Sequence, residues 1–100
     1  ILGRIAKQMA EMPAKIFGIF PQKGALMPNS DADVVIFDPK PTLTLKADEL
    51  HHIGGYSPYN NYAVYGKIET TICRGQILVH RGKFVGDIGR GRFVKGVLSK

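Results

Sequence analysis

Apolar and polar positions alternate between Gly66 and Val85, and the pair Arg-Gly interrupts the alternation twice. This pattern predicts three short antiparallel strands joined by two-residue turns at Arg74-Gly75 and Arg81-Gly82. Glycine at the second turn position supplies the positive φ that a tight hairpin needs. The two turns predict the facing pairs Cys73–Gln76, Ile72–Ile77, Thr70–Val79 and Val79–Phe84.

Side chains alternate between the two faces of a strand, so this register also predicts one largely apolar face of the sheet. Such a face packs against another layer in a folded domain. The residues predicted to share it are Ile68, Thr70, Ile72, Ile77, Val79 and Phe84.

The first twelve residues have a helical period, with apolar side chains at Ile1, Ile5, Met9 and Met12. Pro13 disfavours helical geometry in the residue before it, so the first helix is predicted to end there. Proline is welcome at the first helical position, so a short second helix is predicted from Pro13 to Phe17, with Gly18 as its stop. Core positions are predicted at Ile16, Phe17, Ile19 and Phe20.

The middle of the chain is predicted to form strands and loops. Residues 34–37 are four consecutive apolar residues, which predicts a strand buried on both faces. Residues 42–46 alternate and predict a half-buried strand with Leu43 and Leu45 inward. A helical turn is expected at residues 47–50. Residues 51–65 predict a long ordered loop, held by the buried rings of Tyr56, Tyr59, Tyr62 and Tyr65.

The composition is that of one small globular domain: 100 residues, 44% hydrophobic and 22% charged. The single cysteine excludes an internal disulfide and fits a reducing, cytoplasmic location. No apolar run is long enough for a transmembrane helix. The sequence starts at Ile1 inside a helical pattern, so we expect it to be a piece of a longer protein.

The net charge of +6 and the pI near 9.7 raise the alternative of a stand-alone basic β module that binds nucleic acid or a protein partner. The best candidate patch is the segment 89–95, Gly-Arg-Gly-Arg-Phe-Val-Lys. However, the basic residues are spread along the chain and are not interleaved with aromatic residues as a stacking platform needs. A solvated basic tail is the simpler interpretation.

Histidine and cysteine do not form a catalytic or metal-binding pattern. His51 and His52 are adjacent, so their side chains point apart, and His80 lies on a separate predicted strand. Cys73 precedes a turn beside Arg74, and no sequence feature brings a base to it. It is predicted to be an inert, partly buried thiol.

Three aspartates frame the apolar run 34–37. Asp31 and Asp33 precede it and Asp38 follows it, so a single carboxylate cluster is disfavoured. Aspartates in a loop of this kind usually cap turns through bonds to the backbone. The sequence therefore predicts no catalytic, cofactor-binding or metal-binding residue in this chain.

Four collinear segments resemble one protein family, the cyclic amidohydrolases of the hydantoinase and dihydropyrimidinase type. They are residues 11–24 (EMPAKIFGIFPQKG), residues 29–39 (NSDADVVIFDP), the loop with residues 50–52 (LHH) and 56–59 (YSPY), and residues 66–93 (GKIETTICRGQILVHRGKFVGDIGRGRF). The resemblance covers nearly the whole chain. It departs at Asn60-Asn61, where the family usually has Glu-Gly.

The resemblance implies a fold and an activity for a longer protein. The family binds two metal ions, usually zinc, in a TIM-like barrel, and no residue of this chain matches those ligands. The implied fold class is mostly β with N-terminal helices: the last helices of the barrel, residues 1–20, then the C-terminal part of a β-sandwich, residues 21–86, and a tail, residues 87–100. In the family, strands from the N-terminus of the full protein complete the sandwich.

The implied function is hydrolysis of a cyclic amide C–N bond, such as hydantoin or dihydropyrimidine ring opening, by the parent protein. The 100-residue piece is expected to be structural and inert by itself. The same fold also serves non-enzymatic relatives in neuronal signalling. Family members are commonly homotetramers, and the residues expected to contact a neighbouring subunit are Arg90, Arg92 and Phe93.

Overall fold

A computed structural model of the chain describes residues 1–97, which form one N-terminal helix followed by a four-stranded antiparallel sheet. Helix α1 covers residues 2–16. The strands are β1 (Val34–Thr44), β2 (Ala63–Cys73), β3 (Gln76–His80) and β4 (Lys83–Phe84), in the spatial order β1-β2-β3-β4. The predicted class, mostly β with N-terminal helical structure, is confirmed.

The predicted helix break at Pro13 is wrong. The chain is α-helical over Leu2–Ala6, π-helical over Lys7–Glu11 and α-helical again over Met12–Ile16. Met12 keeps helical angles, φ −65° and ψ −45°. The wide π turn lies immediately before the proline. It gives room to the proline ring, which would otherwise press on the preceding turn, and so the helix continues.

The helix ends where glycine was predicted to stop it. Gly18 has φ +70°, and its N–H donates to the carbonyl of Lys15 at 3.2 Å. A left-handed residue after the last turn is a common way to close a helix, and glycine adopts it without steric cost. The chain then turns through residues 19–33 before the sheet begins.

Both predicted Arg-Gly turns are present. Arg74 and Gly75 have φ of +46° and +78°, and Arg81 and Gly82 have φ of +50° and +76°. Two consecutive positive φ values are the signature of the type I′ turn, whose twist matches that of the strands it joins. Arginine accepts the first position of these turns although glycine and asparagine are preferred there.

The predicted register is correct near the turns and wrong beyond them. The pairs Cys73–Gln76, Ile72–Ile77 and Val79–Phe84 are confirmed. The predicted pair Thr70–Val79 is replaced by Thr70–His80 and Thr71–Val79, because Leu78 is an extra residue in β3 and shifts the pairing by one. Val79 therefore leaves the face that was predicted for it, and His80 takes its place opposite Thr70.

Strand β1 is longer than the sequence suggested, because it joins the two predicted strands into one. Its pairing with β2 jumps between Asp38 and Thr42, the stretch that holds Pro39 and Pro41. An edge strand tolerates proline, which has no N–H to donate to a ladder. The predicted helical turn after it is confirmed as a short 3-10 helix, Ala47–Glu49.

The predicted core residues are mostly exposed. Among residues 1–97, Ala14 is the one buried apolar side chain, at 4% exposure. Phe17, which was predicted to be a core residue, is 69% exposed. The helix and the apolar face of the sheet do not cover each other. The exposed residues predicted to be buried also include Ile16, Val35, Ile36, Phe37 and Leu43. Their hydrophobic pattern is real, but the described residues supply no second layer for it.

The predicted tyrosine anchors are wrong for the same reason. Tyr56, Tyr59, Tyr62 and Tyr65 are all largely exposed. Tyr59 and Tyr62 contact each other edge to face, with ring centroids 6.0 Å apart. The loop itself is shorter than predicted, because β2 already begins at Ala63.

Candidate functional site

No metal centre forms among residues 1–97: nowhere do three His, Cys, Asp or Glu side chains meet closely enough to hold an ion. His51 and His52 are exposed in the loop, and the Nδ1 atom of His80 lies 3.1 Å from the hydroxyl of Thr70. The described residues therefore do not fit the two-metal centre implied by the resemblance. The same part of the chain contains no helix that is long and apolar enough to cross a membrane.

The strongest polar cluster joins three parts of the chain, and we call it the aspartate clasp: Lys23, Asp31, Asp33 and the backbone N–H of Arg74. The Nζ atom of Lys23 lies 2.9 Å from an oxygen of Asp31 and 2.6 Å from one of Asp33. The other oxygen of Asp33 accepts the N–H of Arg74 at 2.9 Å. The clasp thus ties the segment after the helix and the loop before β1 to the first hairpin turn.

The lysine of the clasp and its two carboxylates stabilise each other's charged forms. The hydrogen bond to Asp33 is the main cause that raises the pKa of Lys23, and the hydrogen bond from Lys23 lowers the pKa of Asp31. Burial by itself raises the pKa of Asp33. The bonds that Asp33 accepts from Lys23 and from the Arg74 backbone outweigh burial and lower that pKa below its usual range. All three groups are therefore charged at neutral pH.

This charge pattern is that of a structural cross-link, because each carboxylate is already engaged by a cation or by the backbone. Neither aspartate is poised as a general acid or base, which requires a pKa near the working pH. The predicted turn capping by Asp31 and Asp33 is wrong, because Asp31 binds the side chain of Lys23, and Asp33 binds Lys23 and the distant N–H of Arg74. Lys23 was also missed from the sequence. The signal was present: a lone lysine in a tight turn just before an aspartate-rich loop.

Cys73 lies next to the clasp and is half-buried. Its thiol is one of the groups that lower the pKa of Asp33, and its carbonyl oxygen accepts a bond from the Nη1 atom of Arg90 at 3.2 Å. Its neighbours are thus the carboxylate of the clasp and the arginine of the tail. This environment agrees with the partly buried thiol predicted from the sequence.

A wide apolar groove runs between helix α1 and the sheet, with a volume of about 1280 Å³. Its walls come from one side of the helix, from the segment before β1 and from strands β1 and β2. Lys23, Asp31 and Asp33 lie on its border. The apolar side chains that define it are Leu2, Ile5, Met9, Leu26, Val35, Phe37 and Ile68. An exposed apolar surface this large marks an interface rather than a solvated face.

The three residues expected to contact a neighbouring subunit differ from one another in exposure. Arg90 is half-buried and bonded to Cys73, whereas Arg92 is exposed and Phe93 is 92% exposed. The exposed pair is free to meet another surface, and Arg90 serves the chain's own fold. A role of these residues between subunits remains a prediction.

The family is settled by comparison with known proteins. A model described as the Amidohydrolase family matches residues 4–78 of the chain. The chain belongs to the amidohydrolase family. The match spans most of the helix, the aspartate clasp, β1, β2 and the start of β3, whereas the sequence resemblance extends further, to residue 93.

Three similar proteins show which amidohydrolases this chain resembles. It is 42% identical over 94 residues to D-phenylhydantoinase of Escherichia coli O1:K1, which covers 94% of this chain and 20% of that protein. The crystal structure of dihydropyrimidinase from Brevibacillus agri NCHU1002 matches with a TM-score of 0.89 and 35% identity, over 99% of this chain and 22% of that one. L-hydantoinase (dihydropyrimidinase) from Arthrobacter aurescens matches with a TM-score of 0.88 and 37% identity, over 94% and 21%.

The chain therefore spans about a fifth of the length of the relatives it matches. The sequence resemblance to hydantoinases and dihydropyrimidinases is confirmed at the level of family and fold. The rest of each relative has no counterpart in these 100 residues.

Proposed function

We propose that this chain is the C-terminal part of an enzyme that opens cyclic amide rings of the hydantoin or dihydropyrimidine class. Its contribution is structural, and the catalytic residues lie elsewhere in the longer protein. The observation that carries the proposal is the 42% identity to D-phenylhydantoinase over 94 residues. The lack of a metal-ligand cluster within residues 1–97 is compatible with it but does not carry it.

The proposed division of the chain follows the resemblance. Residues 1–20 are assigned to the end of a barrel domain, residues 21–86 to the C-terminal part of a β-sandwich and residues 87–100 to a tail. Residues 98–100 of that tail lie outside the described part. The helix end near Gly18 and the start of β1 at Val34 support the first boundary.

The apolar groove has a natural occupant under this proposal, namely further segments of the same longer chain. Both walls of the groove carry apolar side chains at positions that the sequence marks as core. Covering these side chains would stabilise the folded protein by about 25 cal/mol for each Å² of apolar surface removed from water. The partner is therefore the rest of the parent chain, including the strands that complete the sandwich.

Metal chemistry belongs to the parent protein in this proposal. Two zinc ions are expected there, held by histidines, an aspartate and a carboxylated lysine that this chain does not contain at matching positions. In this proposal, residues 1–97 contribute no ligand to either ion. Their role is to support the domain next to the metal-binding barrel. A homotetrameric parent and a cytoplasmic location are further parts of the same proposal.

Two preparations test the proposal: the protein as its gene encodes it and the 100-residue chain alone. Each is supplied with zinc and assayed for ring opening of hydantoin and of dihydrouracil. We expect turnover by the first and none by the second. Turnover by the 100-residue chain would refute the structural role, and a gene product with bound zinc but no activity on either ring would refute the substrate class.

The alternative of a basic nucleic-acid module has no support from the contacts or the relatives. Several of the basic side chains are already engaged, among them Lys23, Lys67, Arg74, Arg81 and Arg90. A titration with duplex DNA at low salt distinguishes the two. Binding that weakens steeply with salt would favour the module, because released counterions give that dependence.

A further inference from the structure

Residues 86–97, the described segment after β4, have no regular secondary structure, yet contacts hold this segment near both of its ends. We propose that residues 86–97 act as a strap that fixes the end of helix α1 to the sheet, and that its two anchors work as one unit. The strap is defined as residues 86–97. The inference concerns this chain's own residues and holds whether or not the parent protein opens cyclic amides.

The first anchor is a reciprocal arginine contact at the first hairpin. Arg90 in the strap donates to the carbonyl oxygen of Cys73 at 3.2 Å. In return, the Nη2 atom of Arg74 donates to the carbonyl oxygen of Arg90. Each arginine thus satisfies a backbone oxygen on the other's segment. Gln76 adds a bond from its side-chain nitrogen to Asp87 at 3.1 Å.

The second anchor is a backbone contact between two glycines and their neighbours. The N–H of Val97 donates to the carbonyl oxygen of Gly18 at 2.8 Å. A Cβ atom on Gly96 would lie 2.1 Å from the carbonyl oxygen of Phe17, and one on Gly18 would lie 2.1 Å from that of Val97. The two segments approach so closely that neither position has room for a side chain.

Within the described part of the chain, the strap is one of two links between the helix and the sheet. The apolar groove separates them along most of the helix, and Ala14 is the single buried apolar residue among residues 1–97. The other link is indirect: Lys23 of the aspartate clasp adjoins Gly24, which lies against Ala10 and Ala14 of the helix, and the clasp ties this segment to the sheet. The strap spans the distance from the hairpin to the helix end, so it holds that end to the sheet independently of the clasp.

Two matched pairs of variants test the strap in the protein as its gene encodes it. Gly96→Ala breaks the second anchor, and Gly91→Ala is its control, because Gly91 has open space around it and no positive φ. Arg90→Gln removes the bond from Arg90 to the Cys73 carbonyl and so weakens the first anchor, and Arg92→Gln is its control with the same loss of charge. The readout is hydrogen exchange at the Val97 amide, compared with the rate in the unfolded chain.

We expect Gly96→Ala to speed exchange at Val97 roughly tenfold, the effect of losing one hydrogen-bonded contact. Arg90→Gln should also speed exchange at Val97, although Val97 lies at the other anchor. Both controls should match the unaltered protein. If Arg90→Gln leaves Val97 unchanged, or if a control speeds exchange as much as its partner, the strap does not act as one unit and the inference is wrong.

Discussion

Asp33 and Arg74 are 41 residues apart in the sequence, and the carboxylate of the first accepts the backbone N–H of the second at 2.9 Å. Arg74 occupies the first position of a type I′ turn, where its N–H points away from the hairpin ladder. The aspartate supplies the partner that this N–H needs. The contact therefore fixes the loop before β1 onto the first hairpin and sets where β1 begins to pair with β2.

Replacing Asp33 by alanine is the first prediction. Asp33→Ala should lower the free energy of unfolding by about 2 kcal/mol, because it removes a charge-assisted bond and leaves the Arg74 N–H unpaired. Asp33→Asn should lose less, since its amide oxygen still accepts that N–H. Urea unfolding measures both. Asp48→Ala is the control on the exposed 3-10 helix, and an equal loss there would show that the Arg74 contact is not the cause.

Acid sensitivity is the second prediction and follows from the same cluster. The pKa values of Asp31 and Asp33 are lowered in the folded chain, so their contribution to stability is present above their unfolded pKa of about 3.9. It is lost as the pH falls through the lowered folded values. The free energy of unfolding should therefore fall between about pH 5 and pH 2, and less so in Asp33→Asn.

The opposite sign applies to Lys23 in the same cluster. Its pKa is raised, so its contribution is present at and below the usual lysine pKa and is lost as the pH rises through the raised value. Stability between neutral pH and about pH 9 should be insensitive to these three groups. A fall in stability already at pH 8 would contradict this assignment.

Local structure was the part of the fold that sequence reasoning could predict. Both Arg-Gly turns, the helix stop at Gly18 and the pairs nearest to the turns depend on neighbouring residues, and the structure confirms them. The bulge at Leu78 was not predictable, because nothing in the alternation of β3 marks an extra residue. The continuous helix through Pro13 was missed because the adjoining π turn was not considered.

Burial was the part that sequence reasoning got wrong. A pattern of apolar positions tells which side of an element faces a partner but not whether the partner is present in the same 97 residues. Phe17 and Val35 have core-like positions and remain exposed here. The clasp was half predicted: the aspartates were recognised as structural, whereas Lys23 and the distant Arg74 N–H are brought to them only by the fold.

The contact between Phe37 and Gly66 gives the third prediction. A Cβ atom at Gly66 would lie 2.2 Å from the Cζ atom of Phe37, which covers this position from β1. Gly66→Ala must therefore displace the ring in addition to straining a residue with φ +86°. The expected loss in the free energy of unfolding is about 2 kcal/mol.

Gly75→Ala is the matched control for that prediction. Gly75 has a similar φ of +78° and nothing within 4 Å of a Cβ atom, so it reports the backbone strain alone, about 1 kcal/mol. The difference between the two variants measures the contact with Phe37. In the background Phe37→Ala the difference should shrink to the effect of the remaining contact with the Asp38 carbonyl oxygen, 3.1 Å from the Cβ position, and an undiminished difference would mean that Phe37 is not responsible.

The exposed apolar groove gives the last prediction, which concerns the 100-residue chain by itself. Because the side chains of the groove are uncovered, isolated chains should bury them against one another and associate in a concentration-dependent way. The unpaired edge of β1 offers a second route to association. Sedimentation velocity over a range of concentrations measures the effect.

Met9→Lys tests whether the groove is the surface that associates, since Met9 lies in it and is 77% exposed. Losing the burial of one methionine side chain should weaken association roughly tenfold or more. Gln8→Lys adds the same charge to the neighbouring exposed position of the helix, outside the groove lining. An equal effect of both variants would point to charge repulsion. A chain that stays monomeric at every concentration would show that the groove does not drive association.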